Sequence, residues 1–421
     1  MEKSRMSKIT KIIFFTVFLD LLGYGILIPV IPLLVTDPTS PFFLLPPTAT
    51  LESGLILLGF LIAVYPIGQF FSTPILGQLS DRYGRKPILI ISILGTSISY
   101  VLFAIGIITK NIPLLFFSRF FDGMTGGNIA VAQATIADIT TPENRARNFG
   151  MIGAAFGLGF IFGPYIGGKL SSPAIVSWFN PATPFYFAAI LAVCNVLSIW
   201  TFLPETHVIR TIKKISFSKS IENIRRGFAL PGLKNLFGVS FLFNAGFTFF
   251  TTFFSVFLIV KFGFNEAKIG NFFGYVGVWS VFTQAVVTRF MAKRFKPEAI
   301  LSVSLFACAF MLLMYFLPRE SWQLYLIPPF FSLAAGLSMV NLGTLISNRT
   351  DRTTQGEIMG ISASITALAQ SIPPILSGLI ASLLTPTTPI LIASGIVFIG
   401  WIFFMYTKNK KVALATLPEI S

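Results

Sequence analysis

Three ionisable side chains lie inside segments of the chain that are otherwise almost entirely apolar: Asp20, Arg119 and Asp122. Placing such a residue within a membrane costs at least about 2.5 kcal/mol, so each is a candidate for function rather than for simple packing. Arg119 and Asp122 are three residues apart on a predicted helix. They therefore project from nearly the same face and can form an ion pair.

A carboxyl group in this setting can exchange a proton. Burial favours the protonated form of a carboxyl group, whereas a nearby guanidinium favours the charged form. The hypothesis is that Asp20 and Asp122, with Arg119 as partner, take up and release protons when their surroundings rearrange. Two alternatives stay open: a static Arg119–Asp122 pair that only fixes helix packing, and a carboxylate at Asp20 that caps backbone groups near the membrane edge.

Neutral polar residues are scattered through the same apolar segments. Such side chains usually hydrogen-bond neighbouring helices, but a subset could line a cavity for a substrate. The candidates are Tyr65, Gln69, Asn128, Gln133, Asn244, Asn271, Gln284, Asn341 and Gln370. Phe243, Phe247 and Phe250 could form an apolar wall for an amphipathic substrate.

The composition places all these residues in a membrane protein. The chain has 421 residues, of which 54% are hydrophobic and 11% charged, with a mean hydropathy of +0.79. A soluble chain has about a quarter charged residues, so a soluble enzyme and a disordered chain are both excluded. Two cysteines and one histidine form neither a disulfide framework nor a metal-binding spacing. We predict an all-α integral membrane protein that is not an enzyme, with no metal or organic cofactor.

Twelve stretches are long enough to cross a membrane, which takes roughly 20 mostly apolar residues. They run near 9–34, 53–76, 87–108, 112–136, 148–170, 183–203, 234–260, 268–290, 298–317, 323–347, 357–384 and 389–407, and are numbered here as spans 1 to 12. The longest interval between them is basic and central. We therefore predict a first six-helix half (1–203), a cytoplasmic central loop (204–233) and a second six-helix half (234–421).

The basic residues predict the orientation. Of the 31 Lys and Arg residues, 25 lie on the side that holds both termini and the central loop, and five lie on the other side. Cytoplasmic loops carry the excess of Lys and Arg, so both termini are predicted to be cytoplasmic. The net charge of +15 is thus assigned to membrane orientation rather than to nucleic-acid binding.

The two halves share a weak internal repeat. Residues 138–150 (DITTPENRARNFG) are echoed by 348–360 (NRTDRTTQGEIMG) at an offset of 210 residues, about half the chain length. At the same offset, Gly168 aligns with Gly378, and the pair 163–164 aligns with 373–374. The repeat predicts a bundle of two related halves.

Span 5 carries the densest run of small residues: Gly153, Gly157, Gly159, Gly163, Pro164, Gly167 and Gly168. Missing side chains along one stripe allow another helix to approach closely. Pro164 is expected to kink or break the helix.

The loop between spans 2 and 3 carries a compact charged motif, GQLSDRYGRKP, over 77–87. Gly77 is expected to permit close helix packing, and Gly84 to permit a tight reversal. Asp81 can face the positive end of a neighbouring helix. The alternative is a solvated basic loop that only sets topology.

Two arginines of this motif have candidate partners at the end of span 4. Arg82 and Arg85 could pair with Asp138 or Glu143. Such contacts would fix the loop against the neighbouring helix.

These motifs together resemble the major facilitator superfamily, and within it the tetracycline-exporter-like branch of the twelve-helix drug:proton antiporters. The 77–87 loop is similar to the family signature G-x-L-x-D-R-x-G-R-K at every fixed position, which covers Gly77, Asp81, Arg82, Gly84, Arg85 and Lys86. Residues 20–32, 119–127 and 137–150 and the span 5 glycines are also similar to family segments. The second half departs from the pattern, because its loop 292–297 lacks the Asp and the glycines and no acidic residue lies inside its spans, away from their ends.

The resemblance implies roles for the motif residues. Asp81 would face helix 11, which starts near Gly356, and Arg85 with Asp138 would help to latch the two halves while the protein faces outward. The segment from Arg119 would couple protons, and the span 5 glycines would form the antiporter motif.

We therefore expect a proton-coupled exporter of small amphipathic molecules or drugs that works by alternating access. Its expected partners are a small-molecule substrate and the lipid bilayer, not nucleic acid, and protons are the coupling ion. It is expected as a monomer in the bacterial inner membrane. The alternatives are a proton-linked uptake carrier for a nutrient or organic ion, and a membrane sensor or scaffold that moves no substrate.

Overall fold

The structure, a computed structural model, describes residues 2–140, 145–207, 216–350 and 355–415, and its regular elements are helices. The first half contains α1 (Glu2–Thr36), α2 (Leu51–Tyr83), α3 (Arg85–Ile108), α4 (Ile112–Thr125), α5 (Asn128–Asp138), α6 (Arg145–Leu170) and α7 (Thr183–Phe202). The central segment contains α8 (Lys219–Ala229). The second half contains α9 (Lys234–Phe262), α10 (Glu266–Phe282), α11 (Thr288–Arg294), α12 (Pro297–Met314), α13 (Pro328–Asn348), α14 (Gln355–Leu383) and α15 (Thr388–Ala415).

Within the described ranges, nine helices are long and apolar enough to cross a membrane. They contain α1, α2, α3, α7, α9, α12, α13, α14 and α15, and they match nine of the predicted spans. The other three predicted spans fall on α4 with α5, on α6, and on α10 with α11. The helices are therefore consistent with twelve crossings.

Span 4 is broken, although the sequence predicted one continuous helix. The break falls at residues 126–127, where two glycines separate α4 from α5. Glycine weakens a helix because it loses more backbone entropy than other residues on ordering. Side chains of α2 satisfy the carbonyls there: Gln69 Nε2 donates a hydrogen bond to Gly126 O (3.0 Å), and Ser72 Oγ donates one to Gly123 O (2.9 Å). Such compensation is what allows a broken helix at membrane depth.

Span 8 also differs from the predicted regular helix. A π-helical turn, Thr283–Val287, joins α10 to α11. The Thr288 hydroxyl donates a hydrogen bond to Thr283 O, five residues earlier, at 3.0 Å. Single π-turns within helices occur frequently at functional sites.

The central segment contains a helix that hydropathy did not predict, because α8 is short and largely polar. Its buried face consists of Ser220, Asn223 and Gly227. The Ser220 hydroxyl donates a hydrogen bond to Phe70 O of α2, and Asn223 Nδ2 donates one to Ser364 Oγ of α14 (3.2 Å). The predicted loop therefore includes an element that lies between the two halves.

Two close helix contacts join the halves at the end of the bundle opposite to α8. Gly168 of α6 packs against Gly270 of α10, where a Cβ on Gly270 would lie 2.8 Å from Pro164 O. Gly378 of α14 packs against Gly59 of α2, where a Cβ on Gly378 would lie 3.2 Å from Gly59 Cα. Gly168 and Gly378 are related by the 210-residue offset, so the α6–α10 and α2–α14 seams are equivalent positions of the internal repeat.

We call the end that holds α8 and the 77–87 loop the basic end, and the opposite end the far end. At the far end, Leu33 of α1 packs into the core of the second half, while Phe253 and Val256 of α9 pack into that of the first half. At the basic end, a Cβ built at Gly77 or Gly343 would have no described atom within 4 Å. Among the described residues, the halves are thus closed together at the far end, and α8 bridges them at the basic end.

Candidate functional site

The ion pair predicted within span 4 is present. Arg119 Nη1 donates a hydrogen bond to Asp122 Oδ2 at 2.7 Å, and the two side chains are only 4% and 5% exposed. The Arg119 guanidinium carbon also lies 4.5 Å from the ring centre of Tyr65 in α2. A cation over an aromatic face is attracted by the electrons of the ring. The guanidinium is therefore held by a carboxylate of its own helix and a ring of the neighbouring helix.

Helix α1 brings a second carboxyl group to the same place. Asp20 interacts electrostatically with Asp122 and lies beside Asn128, the first residue of α5. Asn128 is fully buried and its side chain interacts with Asp20, yet neither of its polar atoms forms a hydrogen bond of standard geometry with a described residue. The same holds for Asp20 Oδ2 and Arg119 Nε. Unpartnered buried polar atoms are costly, so this group is suited to bind a proton, a water molecule or a polar ligand group.

We call Asp20, Arg119, Asp122 and Asn128 the charged cluster. A cavity of about 30 Å³ adjoins it, lined by Tyr24, Leu27, Ile28, Ile31, Pro32, Ile62, Arg119, Thr251 and Thr252. That volume corresponds to about one water molecule in the liquid. Thr251 and Thr252 belong to α9, so the second half covers Arg119.

Three of the nine neutral polar candidates lie at the charged cluster. Tyr65 lies against Arg119, and Asn128 lies beside Asp20. Gln69 Nε2 donates a hydrogen bond to Gly126 O, in the break between α4 and α5, and another to the Tyr65 hydroxyl at 3.4 Å. These three residues connect α2 to α4 and α5.

The other six polar candidates are dispersed. Asn244 and Asn341 each donate a hydrogen bond at 2.8 Å to a carbonyl one turn earlier in their own helix. Asn271 lines a groove between α6 and α10 that opens on the outside of the bundle. The remaining three are half-buried at separate places, Gln133 on α5, Gln284 in the π-turn and Gln370 on α14. The structure does not gather these six into one cavity.

The predicted phenylalanine wall is mostly core. Phe243 and Phe250 are buried, and the Phe250 ring centre lies 4.9 Å from that of Phe331 and 5.5 Å from that of Tyr315. Only Phe247 of the three is half-buried. In the described state Phe243 and Phe250 are core residues, because α9 is packed against neighbours on most of its faces, and contact of these rings with substrate stays a prediction.

The 77–87 motif is organised around a buried arginine. Gly84 separates α2 from α3 with φ +105°, and Arg85 follows it with 6% exposure. Arg85 Nε donates to Asp138 Oδ2 at 2.9 Å, and Nη1 donates to Asp81 Oδ1 at 2.5 Å and to Ser80 Oγ at 2.6 Å. The predicted Arg85–Asp138 pair is therefore present, and it ties α3 to the end of α5 within the first half.

Glu205, which follows α7, binds the start of α3. Its carboxylate accepts hydrogen bonds from the backbone N–H groups of Arg85 (2.9 Å) and Lys86 (3.2 Å). An anion at a helix N-terminus satisfies free N–H groups and is stabilised by the helix dipole. A Cβ at Gly84 would overlap this carboxylate, which together with the positive φ explains the glycine. Sequence analysis missed Glu205 because no spacing rule links it to a loop 120 residues away.

The other motif residues are only partly described by their predictions. No described atom lies within 4 Å of a Cβ built at Gly77, so close packing at this glycine stays a prediction. Arg82 is exposed, and its guanidinium carbon lies 5.3 Å from the ring centre of Tyr83 rather than on Asp138. Lys86 Nζ donates a hydrogen bond to the backbone carbonyl of Trp200 in α7 at 2.7 Å.

Two predicted contacts fall outside the described residues. Glu143 lies in an undescribed stretch, so its pairing with Arg82 or Arg85 stays a prediction. The surroundings of Gly356 at the start of α14 are likewise outside the described residues, and the contact of Asp81 with that helix also stays a prediction.

The span 5 glycines contact two helices rather than one. A Cβ at Gly159 would lie 2.5 Å from Leu21 Cβ of α1, and one at Gly163 would lie 2.7 Å from Gly25 Cα. Gly167 approaches α1 in the same way. The prediction of close approach is confirmed for this face.

The second glycine face of α6 meets the other half of the chain. Gly168 contacts α10, and Gly157 lies against Gln284 of the π-turn. Pro164 lies within a continuous α6, so the helix has no break at that residue. The surroundings of Gly153 lie outside the described residues.

The residues that sequence reasoning missed near the charged cluster are small or aromatic. Tyr24 of α1 lines the cavity, and its ring centre lies 5.9 Å from that of Tyr65. Thr251 and Thr252 stand in a run of phenylalanines, where nothing in their spacing marks them. In the described part of the chain, no group of three or more His, Cys, Asp or Glu residues could hold a metal ion.

Comparison with known proteins agrees with this architecture. The chain matches the family model of the Major Facilitator Superfamily over residues 13–372. It is 30% identical to the tetracycline resistance protein, class H, of Pasteurella multocida over 90% of each chain. It is 26% identical to multidrug resistance protein 2 of Bacillus subtilis over 95% of each chain. Among solved structures it is similar to the human organic anion transporter MFSD10 (TETRAN), with a TM-score of 0.72, 22% identity, and coverage of 95% of this chain and 99% of that one.

Repeated helical halves that meet around buried charges are the architecture of secondary transporters. The chain belongs to the Major Facilitator Superfamily. It is an integral, multi-pass membrane protein with the fold of that family.

Proposed function

We propose that the protein is a proton-coupled exporter of small amphipathic molecules that works by alternating access. The observation that carries the proposal is the charged cluster, in which Asp122 is paired with Arg119, while Asp20 Oδ2 and the side chain of Asn128 lie beside each other without a hydrogen bond of standard geometry to any described residue. A membrane protein retains such groups where they serve transport of ions or protons.

The two carboxyl groups have complementary roles in this mechanism. Protonation of Asp122 removes the charge that binds Arg119, so the guanidinium becomes available to another anion or to water. Asp20 lies close enough to Asp122 to sense this change electrostatically. The water-sized cavity beside Arg119 offers a route for the proton.

The seams between the halves supply the movement. Glycine-to-glycine contacts, such as Gly168 with Gly270, let helix backbones meet without interlocking side chains. Rocking of residues 1–203 against 234–421 would open the far end and close the basic end. The 77–87 motif would then meet the start of α14.

The charge distribution supports an orientation with the basic end in the cytoplasm. The basic end carries 25 of the 31 Lys and Arg residues. The protein would then lie in a bacterial-type inner membrane with both termini inside, and the described state would be closed to the outside.

The direction of transport rests on the relatives. Proteins named for tetracycline and multidrug resistance cover 90% or more of the chain, which favours export of drug-like molecules. The structural neighbour is named as an organic anion transporter, so anionic amphipathic compounds belong in the test set.

The test is transport by purified protein in liposomes with an imposed pH gradient. The probes are tetracycline, the amphipathic cation ethidium and the amphipathic anion fluorescein. We expect at least one to move against the proton flux in wild type, and Asp122→Asn to abolish this coupled movement. Glu298→Gln, a change outside the charged cluster at the start of α12, is the matched control and should transport normally. Transport that is indifferent to the pH gradient would contradict the proposal.

A further inference from the structure

A groove on the outside of the α6–α10 seam has no role in the proposed transport cycle. Its volume is about 300 Å³, and it is lined by Ile161, Phe162 and Tyr165 of α6 and by Asn271, Gly274, Tyr275 and Val278 of α10. Three of these side chains are clearly exposed: Phe162 (43%), Tyr165 (41%) and Val278 (63%). The groove exists partly because Gly274 lacks a side chain, and a Cβ there would lie 3.1 Å from the Tyr165 ring.

The polarity of the groove changes regularly along its length. On α10 the exposed side carries Lys268, Asn271, Tyr275 and Val278, at helical spacings of three, four and three residues. With a rise of 1.5 Å per residue, this stripe spans about 15 Å from a cation at the far end to an apolar residue deep in the membrane.

The facing helix has the same gradient. On α6 the order from the far end is Lys169, Tyr165 and Phe162, with Lys169 Nζ 5.7 Å from the Tyr165 ring centre. The contact of Gly168 with Gly270 places Lys169 and Lys268 at the same level on either side of the seam.

The two lysines have no ion-pair partner within the described structure. The nearby acidic residue Glu266, on the same turn as Lys268, is half-buried and interacts electrostatically with another carboxyl group, that of Asp37, rather than with either lysine. The far-end mouth of the groove therefore offers two unpaired ammonium groups to an anion.

The equivalent seam of the internal repeat shows that helix packing does not require these polar residues. Lys169 corresponds to Leu379 at the 210-residue offset. Gly270 corresponds to Gly59, because each contacts the equivalent glycine of its own seam. The residue after Gly59, exposed Phe60, is therefore the equivalent of Asn271. Both seams pack through glycines, yet only the α6–α10 seam combines lysines with a membrane-exposed amide.

We propose that this groove binds one anionic phospholipid of the far-end leaflet. The phosphate lies between Lys169 and Lys268, the Asn271 amide donates to an ester carbonyl of the lipid, and one acyl chain lies along Tyr165 and Val278. A cation, then an amide, then apolar side chains is the order in which a phospholipid presents its phosphate, ester and chain. Because the groove spans both halves, bound lipid stabilises the state that is closed at the far end.

The test uses the full-length purified protein and counts bound lipid by native mass spectrometry. The probes are dioleoyl phosphatidylglycerol and dioleoyl phosphatidylethanolamine, which share the same chains. We expect wild type to retain one phosphatidylglycerol about tenfold more tightly than phosphatidylethanolamine. The Lys169→Gln/Lys268→Gln variant should lose this preference, and Lys110→Gln/Arg319→Gln, which removes two exposed far-end cations outside the groove, should keep it.

A second variant separates the contribution of the lipid's acyl chains to binding from that of its headgroup. Gly274→Leu fills the groove without changing charge, so it should weaken the binding of both lipids equally. Thermal unfolding checks that each variant is folded. If the double lysine variant is not folded, the single variants Lys268→Gln and Gly274→Leu replace it in the test. An unchanged lipid preference in the lysine variants would overturn the proposal. So would binding of glycerol 3-phosphate as tight as that of phosphatidylglycerol, or a stable dimer that buries the groove.

Discussion

At the scale of single residues, Asp122 and Asp20 lie in one buried cluster but differ in their partners. Asp122 has a guanidinium at 2.7 Å, and Asp20 has an oxygen with no described partner. A buried charge is tolerated when it is paired, and removing one partner leaves the other uncompensated. The two carboxyl groups should therefore respond differently to mutation.

Arg119→Ala should destabilise the protein more than Asp122→Asn does. It leaves the Asp122 carboxyl buried without its counter-charge, a loss on the order of 3–5 kcal/mol for a buried pair. The double variant Arg119→Ala/Asp122→Ala should recover much of the stability but none of the coupled transport. Thermal unfolding and liposome transport of the three variants check this. Equal unfolding temperatures for Arg119→Ala and wild type would show that the pair contributes nothing to stability.

The contact of Glu205 with α3 predicts a second residue-level effect. Glu205→Ala removes the acceptor for the two α3 backbone N–H groups as well as for those of Thr206 and His207, and loss of the α3 cap should cost about 1–2 kcal/mol, as for other N-terminal capping groups. Glu205→Gln, which keeps an acceptor oxygen, should lose less. Thermal unfolding of the purified variants measures both, and an Ala variant as stable as the Gln variant would argue against capping.

Sequence reasoning found the residues of the buried cluster where energetic cost alone marks a side chain, and their role in proton exchange stays a prediction. Asp20, Arg119 and Asp122 stand out because charge in an apolar segment is expensive. Glu205 and Thr251 were missed because their importance depends on which distant backbone they meet, and hydropathy carries no information on that. Asn271 was a candidate for the substrate cavity for the same reason, although it lies in the groove between α6 and α10.

At the scale of helices, hydropathy located the spans but not their interruptions. The glycine pair at 126–127 and the π-turn in span 8 leave the apolar count unchanged, so a sliding window treats both spans as continuous. Helix α8 was missed for the opposite reason, since its polar composition resembles that of a loop although two of its polar residues, Ser220 and Asn223, are buried. Backbone breaks and polar packing are decided by neighbouring helices.

The position of α8 predicts that it must leave its site during transport. Helix α8 donates hydrogen bonds to α2 and α14 at the basic end. Those two helices must approach each other there when the basic end closes. In a protein with Cys194→Ser and Cys308→Ala, the pair Asn223→Cys/Ser364→Cys should form a disulfide that stops transport until it is reduced. The two single-cysteine variants are the controls. Full transport by the oxidised pair would mean that α8 stays docked throughout the cycle.

At the scale of the whole molecule, the internal repeat relates the two seams through which the halves touch. The offset found in the sequence pairs Gly168 with Gly378, and the structure places each of them in a seam between the halves. Sequence could predict this symmetry, because the repeat is a property of the chain. It could not predict that the halves are closed at the far end, which depends on the conformational state.

Closure at the far end should depend on these glycines. A Cβ at Gly168 would overlap the Glu266 carbonyl, so Gly168→Val should hold the far end open. With the native cysteines replaced as above, Ile31→Cys, at the buried cavity lining, should then react faster with a polar maleimide. Gly395→Val is the matched control, because no described atom lies within 4 Å of its Cβ. Unchanged labelling in folded Gly168→Val would contradict the closed-state interpretation.

The central claim is that the charged cluster exchanges protons as substrate binds, and proton release from purified protein tests it most directly. The probe is whichever of tetracycline, ethidium and fluorescein the liposome assay shows to be transported. Wild type should release protons into weakly buffered solution on binding it. Asp20→Asn and Asp122→Asn should each reduce the release, and the double variant should abolish it while still binding the probe. Release from the double variant equal to that of wild type would contradict the account and place the exchange of protons elsewhere in the chain.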